Sequence, residues 1–247
     1  MPPLLGYLKA MKEVCERHGA LLILDEVICG MGRTGTLHAW EQEGVVPDLQ
    51  TVAKGLAGGY APIASLLVNK HMVDTLTKGT GAFSHTQTYQ GHPVSCAAAY
   101  RVQQIIKEDN LLANVREMGD YLSQLVHEKL GDHPHIGDIR GRGLFWAVSI
   151  FELLIGISRS RTDLKQLEFV QDKETKQPYP PSKGVAWAVH TTGLKPEYSI
   201  SLMPGNGGID GINGDHICLA PPYNTTRAEI EVIVDRATRV IHEVLGS

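Results

Sequence analysis

The sequence predicts an α/β fold in which part of a mainly parallel sheet with helices is followed by a smaller α+β lobe. Short apolar runs such as ALLILDEV (residues 20–27) lack polar alternation, which is typical of strands buried on both faces of a parallel sheet. After Pro93 the pattern changes to long helical segments with a few short strands between them. We therefore predict two domains, a partial large domain over residues 1–110 and a small domain over residues 111–247.

The first domain is predicted to begin with a helix and to continue with three strands. Apolar residues recur at helical spacing over residues 8–18, and Gly19 follows as a C-terminal cap would. The three buried strands are predicted within residues 20–27, 49–54 and 64–69, with a turn at Gly58 and Gly59 before the last of them.

The second domain is predicted to be mainly helical at its two ends. Apolar residues three and four apart predict helices over residues 97–107 and 111–130. Further predictions are a strand within 136–151, an exposed excursion over 158–182, a helix over 184–193, short strands within 199–206 and 216–222, and a closing helix over 225–245. Thr226, followed three residues later by Glu229, is typical of a capping box at the start of that last helix.

The composition argues against several kinds of partner. A formal net charge of -4 gives no basic footprint for nucleic acid, and no apolar run approaches the roughly 20 residues that span a bilayer. The four cysteines are widely scattered and no pair has CxxC spacing, so we predict a reducing compartment, the cytoplasm, and no metal site. His85 and His92 are read as polar loop residues.

Two charged residues follow predicted strands and are candidates for chemistry. Asp25 ends the run LLIL, which places its carboxylate at the strand edge where open α/β sheets bind ligands. Lys54 follows the next strand and is the only charged residue between Asp48 and Lys70. An amine half-buried among apolar side chains is favoured as a nucleophile, because burial penalises its charged form. Taken alone, Asp25 could instead form a turn and Lys54 could be an edge lysine that reaches solvent.

A carboxylate for a ring nitrogen, an aliphatic side chain for a ring face and a lysine for an imine are the needs of a pyridoxal phosphate site. Val27 returns to the strand face of Asp25 and supplies the aliphatic group. The sequence around these residues resembles the class III aminotransferases, which are pyridoxal phosphate enzymes of fold type I. The resemblance is carried by LLILDEVICGMGRTG, PDLQTVAKGLAGGYAPIAS, TQTYQGHPVSCAAA, IRGRGLFWAV and GDHICLAPPYNTTRAEI.

The resemblance implies a role for each matched position. Lys54 matches the lysine that forms a Schiff base with pyridoxal 5'-phosphate, and Asp25 matches the aspartate that keeps the ring nitrogen protonated. Val27 matches the residue packed under the ring. Thr88 matches the threonine that reaches the phosphate of the neighbouring subunit, with Gln87 assisting through its backbone, which implies a homodimer. The first domain is accordingly expected to be part of the cofactor-binding large domain.

The expected activity is that of a transaminase moving an amino group from an amine or omega-amino acid to an oxo acid such as pyruvate. The resemblance covers the C-terminal part of the family, so we expect the N-terminal portion, with its phosphate-binding residues, to be lacking. Many relatives carry an arginine that clamps a substrate carboxylate at the place of Gly211 here, which favours an amine donor. The alternatives are an inactive or partner-dependent fragment, or a class III relative with decarboxylase, racemase or aminomutase chemistry.

Overall fold

The computed structural model describes residues 5–147 and 169–246. The chain folds as two compact units, and the division between them falls at Ala113 and Asn114. The helix that contains this division, Leu111–Leu130, belongs mostly to the second unit.

Among the described residues, the first unit has three α-helices of its own. Helix α1 spans Tyr7–His18, α2 spans Lys70–Lys78 and α3 spans Pro93–Glu108. The predicted end of α1 is confirmed, because Gly19 has a φ of 63° and its N–H donates to the carbonyl oxygens of Cys15 and Glu16. Helix α2 was not among the predicted elements.

The sheet of the first unit has the strand order β1-β2-β3. Strand β1 is Ile23–Asp25, β2 is Leu49–Val52 and β3 is Ser65–Val68. Strands β1 and β2 are parallel, whereas β2 and β3 are antiparallel. The predicted turn is confirmed by positive φ angles at Gly58 and Gly59, of 58° and 82°.

The prediction that the first strand is buried on both faces is wrong for the described part of the chain. Leu22 and Glu26 are buried, whereas Ile23 is 56% exposed and Asp25 is exposed. Strand β1 is an edge strand whose only partner among the described residues is β2. Because neighbouring side chains alternate across a strand, one set packs and the other meets solvent.

The second unit begins in α4, the helix Leu111–Leu130 predicted from its spacing, and continues into a hairpin. Its hairpin strands are β4, Arg140–Arg142, and β5, Phe145–Ala147, while residues 148–151 of the predicted strand lie outside the described residues. A second hairpin pairs β6, Val170–Asp172, with β7, Gln177–Pro178. Strands β8, Met203–Gly205, and β9, His216–Leu219, complete an antiparallel sheet of order β4-β5-β9-β8.

Residues 158–182 are not simply the exposed excursion that was predicted. Residues 158–168 lie outside the described residues, but Phe169 and Val170 have no exposed surface. The Val170 N–H donates to the carbonyl oxygen of His135, 2.9 Å away, which joins this segment to the chain after α4. The apolar residues at the start of β6 therefore belong to the core of the second unit.

The core of the second unit lies between α4, the sheet and two further helices, α5 at Val185–Gly193 and α6 at Arg227–Leu245. The buried residues of α4 recur three and four apart, which places them on one face of the helix. They are Val115, Met118, Gly119, Leu122, Val126 and Leu130. The capping box of α6 is confirmed, since the Thr226 N–H donates to Glu229 Oε2 at 2.7 Å and the Glu229 N–H donates to Thr226 Oγ1 at 3.3 Å.

A buried histidine joins the end of α4 to the end of α6. The His135 N–H donates to His133 Nδ1 at 3.1 Å, and His133 Nε2 lies 2.8 Å from the carbonyl oxygen of Gly246. Because Nδ1 accepts, the neutral ring must carry its proton on Nε2. Burial lowers the pKa of His133 below its ordinary value, with smaller contributions from His242, His135 and Lys173.

Two broader features concern the described residues as a whole. In the part of the chain that the structure describes, no helix combines the length and apolar character needed to cross a bilayer. The described residues also contain no group of three or more histidine, cysteine, aspartate or glutamate side chains able to hold a metal ion.

Candidate active site

Asp25 is the last residue of β1 and its carboxylate is held by two donors. The backbone N–H of Val27 and the hydroxyl of Thr51 both donate to Oδ1, each at 3.0 Å. These bonds, first that of Val27 and then that of Thr51, lower the pKa of Asp25, and the charge of Lys54 lowers it further. Asp25 therefore presents an exposed, ionised carboxylate at the end of the strand.

Lys54 lies close enough to Asp25 for its charge to act on that carboxylate. It begins a short 3₁₀ helix, Lys54–Leu56, directly after β2, and its φ of 40° is in the left-handed region. Residues other than glycine occupy this region rarely, and such backbone strain is concentrated at functional sites.

The expectation that Lys54 is half-buried among apolar side chains is wrong for this structure. Its side chain is exposed, because β2 ends at Val52 and the chain turns outward into the glycine-rich segment. Any activation of the amine must therefore come from a bound ligand or from neighbouring charges and not from burial by the described residues.

Val27 lies beside Asp25 for a reason other than strand alternation. Strand β1 ends at Asp25, so Val27 belongs to the following turn and is tied to Asp25 by its own N–H. An aspartate that accepts from the N–H two residues ahead is a common turn-forming arrangement. The Val27 side chain is partly exposed and remains available to a ligand.

Gln87 and Thr88 lie in the exposed segment between α2 and α3. Within the described ranges, no hydrogen bond joins either side chain to Asp25 or Lys54. The structure therefore brings Asp25, Val27 and Lys54 together and leaves Gln87 and Thr88 as exposed polar side chains.

Sequence reasoning missed the role of Glu26, which is only 3% exposed. The Ala39 N–H and the Gln50 side-chain amide donate to its Oε2, and the Trp40 N–H donates to its Oε1, all at 2.8 Å. Glu26 thus joins β1, β2 and the 3₁₀ helix Ala39–Glu43 on the side of the sheet opposite Asp25. The available signal was Gln50, a polar residue inside a predicted buried strand.

A glycine permits the turn after β1 to pass against Glu26. The Gly30 N–H donates to the Glu26 carbonyl oxygen at 3.0 Å. A Cβ at Gly30 would lie 2.8 Å from that oxygen and 3.0 Å from the Glu26 Cβ. The absence of a side chain at Gly30 is therefore a packing requirement of this turn.

The three residues that meet at the strand ends fit the pyridoxal phosphate that the sequence resemblance implies. A carboxylate with a lowered pKa can accept the N–H of a protonated ring nitrogen, and a primary amine can hold an aldehyde. In the described residues, Asp25 Oδ2 accepts no hydrogen bond, because both donors lie on Oδ1. The ends of β1 and β2 thus offer a hydrogen-bond acceptor and an exposed amine, which are two of the groups that this cofactor needs.

The sequence is similar to known aminotransferases. The family model described as Aminotransferase class-III matches residues 1–161. A curated aminotransferase of Gibberella zeae is 54% identical over 246 residues, an alignment that covers 100% of this chain and 44% of the relative. An uncharacterized aminotransferase of Schizosaccharomyces pombe is 44% identical over 245 residues, covering 99% of this chain and 49% of the relative.

A solved structure shows the same fold. An (S)-enantioselective omega-transaminase from Thermomicrobium roseum matches with a TM-score of 0.78 and 33% identity, covering 98% of this chain and 48% of that structure. The chain spans about half the length of the curated relatives it matches.

Proposed function

Because the chain belongs to the class III aminotransferase family and has its α/β fold of type I, we propose that it acts as a pyridoxal 5'-phosphate-dependent transaminase. The reaction moves an amino group from an amine or omega-amino acid to an oxo acid such as pyruvate. One observation carries this proposal: Asp25 ends β1, and Lys54 lies two residues after the end of the parallel neighbour β2, close enough for its charge to lower the pKa of the Asp25 carboxyl.

Each side chain has a distinct part in the proposed reaction. When bound, the protonated pyridine ring supplies an electron sink for the carbon that loses its proton. Asp25 holds the ring N–H through its carboxylate, and Val27 supports one ring face. Lys54 Nζ would hold the aldehyde carbon covalently and, as a free amine, would accept and return the substrate proton.

Gln87 and Thr88 are proposed to bind the phosphate of a neighbouring subunit in a homodimer. Their exposure supports this role, because a side chain that reaches another subunit must leave its own. Sedimentation of the chain with and without pyridoxal phosphate tests it. A dimer that Thr88→Val leaves intact, but with weakened cofactor binding, is the expected result.

An amine donor is proposed because Gly211 offers no side chain to clamp a carboxylate. Gly211 lies in an exposed turn with a φ of 89°, where the neighbouring Asp210 accepts the N–H groups of Ile212 and Asn213. A side chain at this φ is strained, so the turn itself favours glycine. The omega-transaminase activity of the matching solved structure is consistent with an amine donor.

The proposed reaction takes place in the cytoplasm. All four cysteines lie in the described ranges, and none of them forms a disulfide, which is the usual state of thiols in a reducing compartment.

The proposal is tested by adding pyridoxal phosphate to the chain and recording its visible absorbance, followed by an assay of amine transfer to pyruvate. Donors should include a primary amine without a carboxylate, such as 1-phenylethylamine, and beta-alanine. We expect a visible band and amine transfer that Lys54→Ala abolishes. Lys78→Ala, which removes an exposed lysine at the end of α2, is the matched control and should retain both.

Two other outcomes separate the alternatives. A Lys54-dependent band without transfer from any donor to pyruvate indicates a relative with decarboxylase, racemase or aminomutase chemistry. A folded chain with no Lys54-dependent band contradicts cofactor binding by this chain on its own.

A further inference from the structure

Both donors to the Asp25 carboxylate converge on one oxygen atom. Thr51 Oγ1 and the Val27 N–H each lie 3.0 Å from Oδ1. Of these donors, only the Thr51 hydroxyl is a side chain, so only it can be removed by substitution without a change of backbone. The arrangement turns the carboxylate so that Oδ2 is left for another donor.

The backbone on either side of Thr51 is fixed by the pairing of the two strands. Thr51 pairs with Asp25 in the parallel register of β1 and β2, and the Glu26 N–H donates to the Thr51 carbonyl oxygen at 3.0 Å. On the opposite face, the side chain of Gln50 donates to Glu26 Oε2 and accepts from the Trp40 indole N–H at 3.1 Å. The register of β2 against β1 is thus fixed by contacts on both faces of the sheet, and Thr51 contacts Asp25 from this fixed position.

Thr51 also links the two candidate catalytic residues along the chain. It lies at the end of β2, three residues before Lys54, and its hydroxyl crosses to the end of β1. The Thr51 hydroxyl therefore connects the Asp25 carboxylate to the strand that leads into Lys54.

We propose that Thr51 is a positioning residue for cofactor binding: its hydroxyl and the Val27 N–H occupy Asp25 Oδ1 so that Oδ2 accepts the ring N–H of pyridoxal phosphate. This inference rests on the proposed function. Without the hydroxyl, the carboxylate loses a donor that favours its ionised form and gains freedom to rotate. Both effects weaken its hold on a protonated ring nitrogen.

The competing explanation is that Thr51 only stabilises the pairing of β1 and β2 through the shape of its side chain. Thr51→Val keeps the β-branched shape and removes the donor, whereas Thr51→Ser keeps the donor and removes a methyl group. Thr77→Val, at an exposed threonine on α2, is the control for the same chemical change elsewhere. The valine variant preserves an effect of side-chain shape, whereas the serine variant preserves the hydrogen bond to Asp25 Oδ1.

The experiment uses two readouts on the full chain. The first is the pKa of the Asp25 carboxyl, measured by carbon NMR without cofactor. The second is the dissociation constant of pyridoxal phosphate from its visible absorbance. For Thr51→Val we expect the Asp25 pKa to rise toward its ordinary value and the dissociation constant to increase about five- to tenfold, the usual effect of one lost hydrogen bond. Thr51→Ser and Thr77→Val should stay within about twofold of the parent chain.

The outcomes distinguish this inference from the proposed function. An unchanged Asp25 pKa and dissociation constant in Thr51→Val overturn the inference, as does a serine variant as defective as the valine variant. If the parent chain shows no Lys54-dependent band, the proposed function and the ligand assigned to Oδ2 both fail. The Asp25 pKa then still decides whether Thr51 holds the carboxylate.

Discussion

Replacing Glu26 by glutamine tests whether the buried carboxylate organises the strand ends. The carboxylate accepts three hydrogen bonds from neutral donors: two at Oε2, from Ala39 and Gln50, and one at Oε1, from Trp40. Glutamine has nearly the same shape, but one of its two terminal atoms is an NH₂ group that can only donate.

The cost follows from the two orientations that the glutamine amide can take. With its oxygen at the Oε2 position, the NH₂ group faces the Trp40 N–H and one bond is lost. With its oxygen at the Oε1 position, the NH₂ group faces both other donors and two bonds are lost. Each orientation leaves buried donors without an acceptor, at about 1–3 kcal/mol for each group. We therefore expect the 3₁₀ segment to open more easily by about 2 kcal/mol, which corresponds to roughly thirtyfold.

Hydrogen exchange measures this opening at the donors themselves. The backbone amides of Ala39 and Trp40 should exchange about thirtyfold faster in Glu26→Gln than in the parent chain. Glu13→Gln, on an exposed position of α1, is the matched control and should leave both amides unchanged. Equal protection of these two amides in Glu26→Gln and the parent chain would refute the reasoning.

Three further predictions concern the second unit. Because burial lowers the pKa of His133, the unfolded chain takes up a proton first as the pH falls, so stability should decline below about pH 6.5. His133→Gln, which can still donate to the Gly246 carbonyl oxygen, should show a shallower decline between about pH 7.5 and 5.5 in urea unfolding; an equal decline contradicts this assignment. Thr226→Ala should lower the unfolding free energy by about 1 kcal/mol through loss of the α6 cap, an effect that Thr226→Ser should largely avoid. Leu122→Ala should lower the unfolding free energy by about 3 kcal/mol because the side chain is fully buried. Val232→Ala, at a 47% exposed position, should lower it by less than about 1 kcal/mol. Equal decreases of the urea midpoint in the two variants would contradict the described core.

Elements with strong local signals were predictable from the sequence. Helix α4 has a regular apolar repeat, and α6 combines such a repeat with the Thr226 capping box. Helix α2 was not predicted: it has nine residues and no side-chain hydrogen bond at its N-cap, Asn69. Short helices of this kind are stabilised mainly by tertiary contacts, which local patterns do not report.

Burial was less predictable than the elements themselves. The apolar run ending at Asp25 predicted a strand correctly but not that Ile23 would be exposed, because exposure depends on which elements cover each face. The opposite error concerns Phe169. Its charged and proline-rich sequence neighbours predicted an exposed segment, but its side chain is fully buried.

In the candidate site, too, contacts between distant residues were not predictable from local sequence patterns. Their positions after predicted strands and the family resemblance made Asp25 and Lys54 candidates, and in the structure the charge of Lys54 acts on the Asp25 carboxylate. The hydroxyl of Thr51 and the carboxylate of Glu26 could not be assigned without the strand register, since residues about 25 positions apart must first be paired.

In the proposed function, Lys54 holds pyridoxal phosphate while Asp25 holds its ring nitrogen. The most direct measurement is reduction of the cofactor-loaded chain with sodium borohydride, followed by mass spectrometry of its peptides. We predict a pyridoxyl group on Lys54 as the dominant product, with strongly reduced labelling of Lys54 in Asp25→Asn at limiting cofactor. Labelling spread over exposed lysines such as Lys70 and Lys78, with no preference for Lys54, would contradict it.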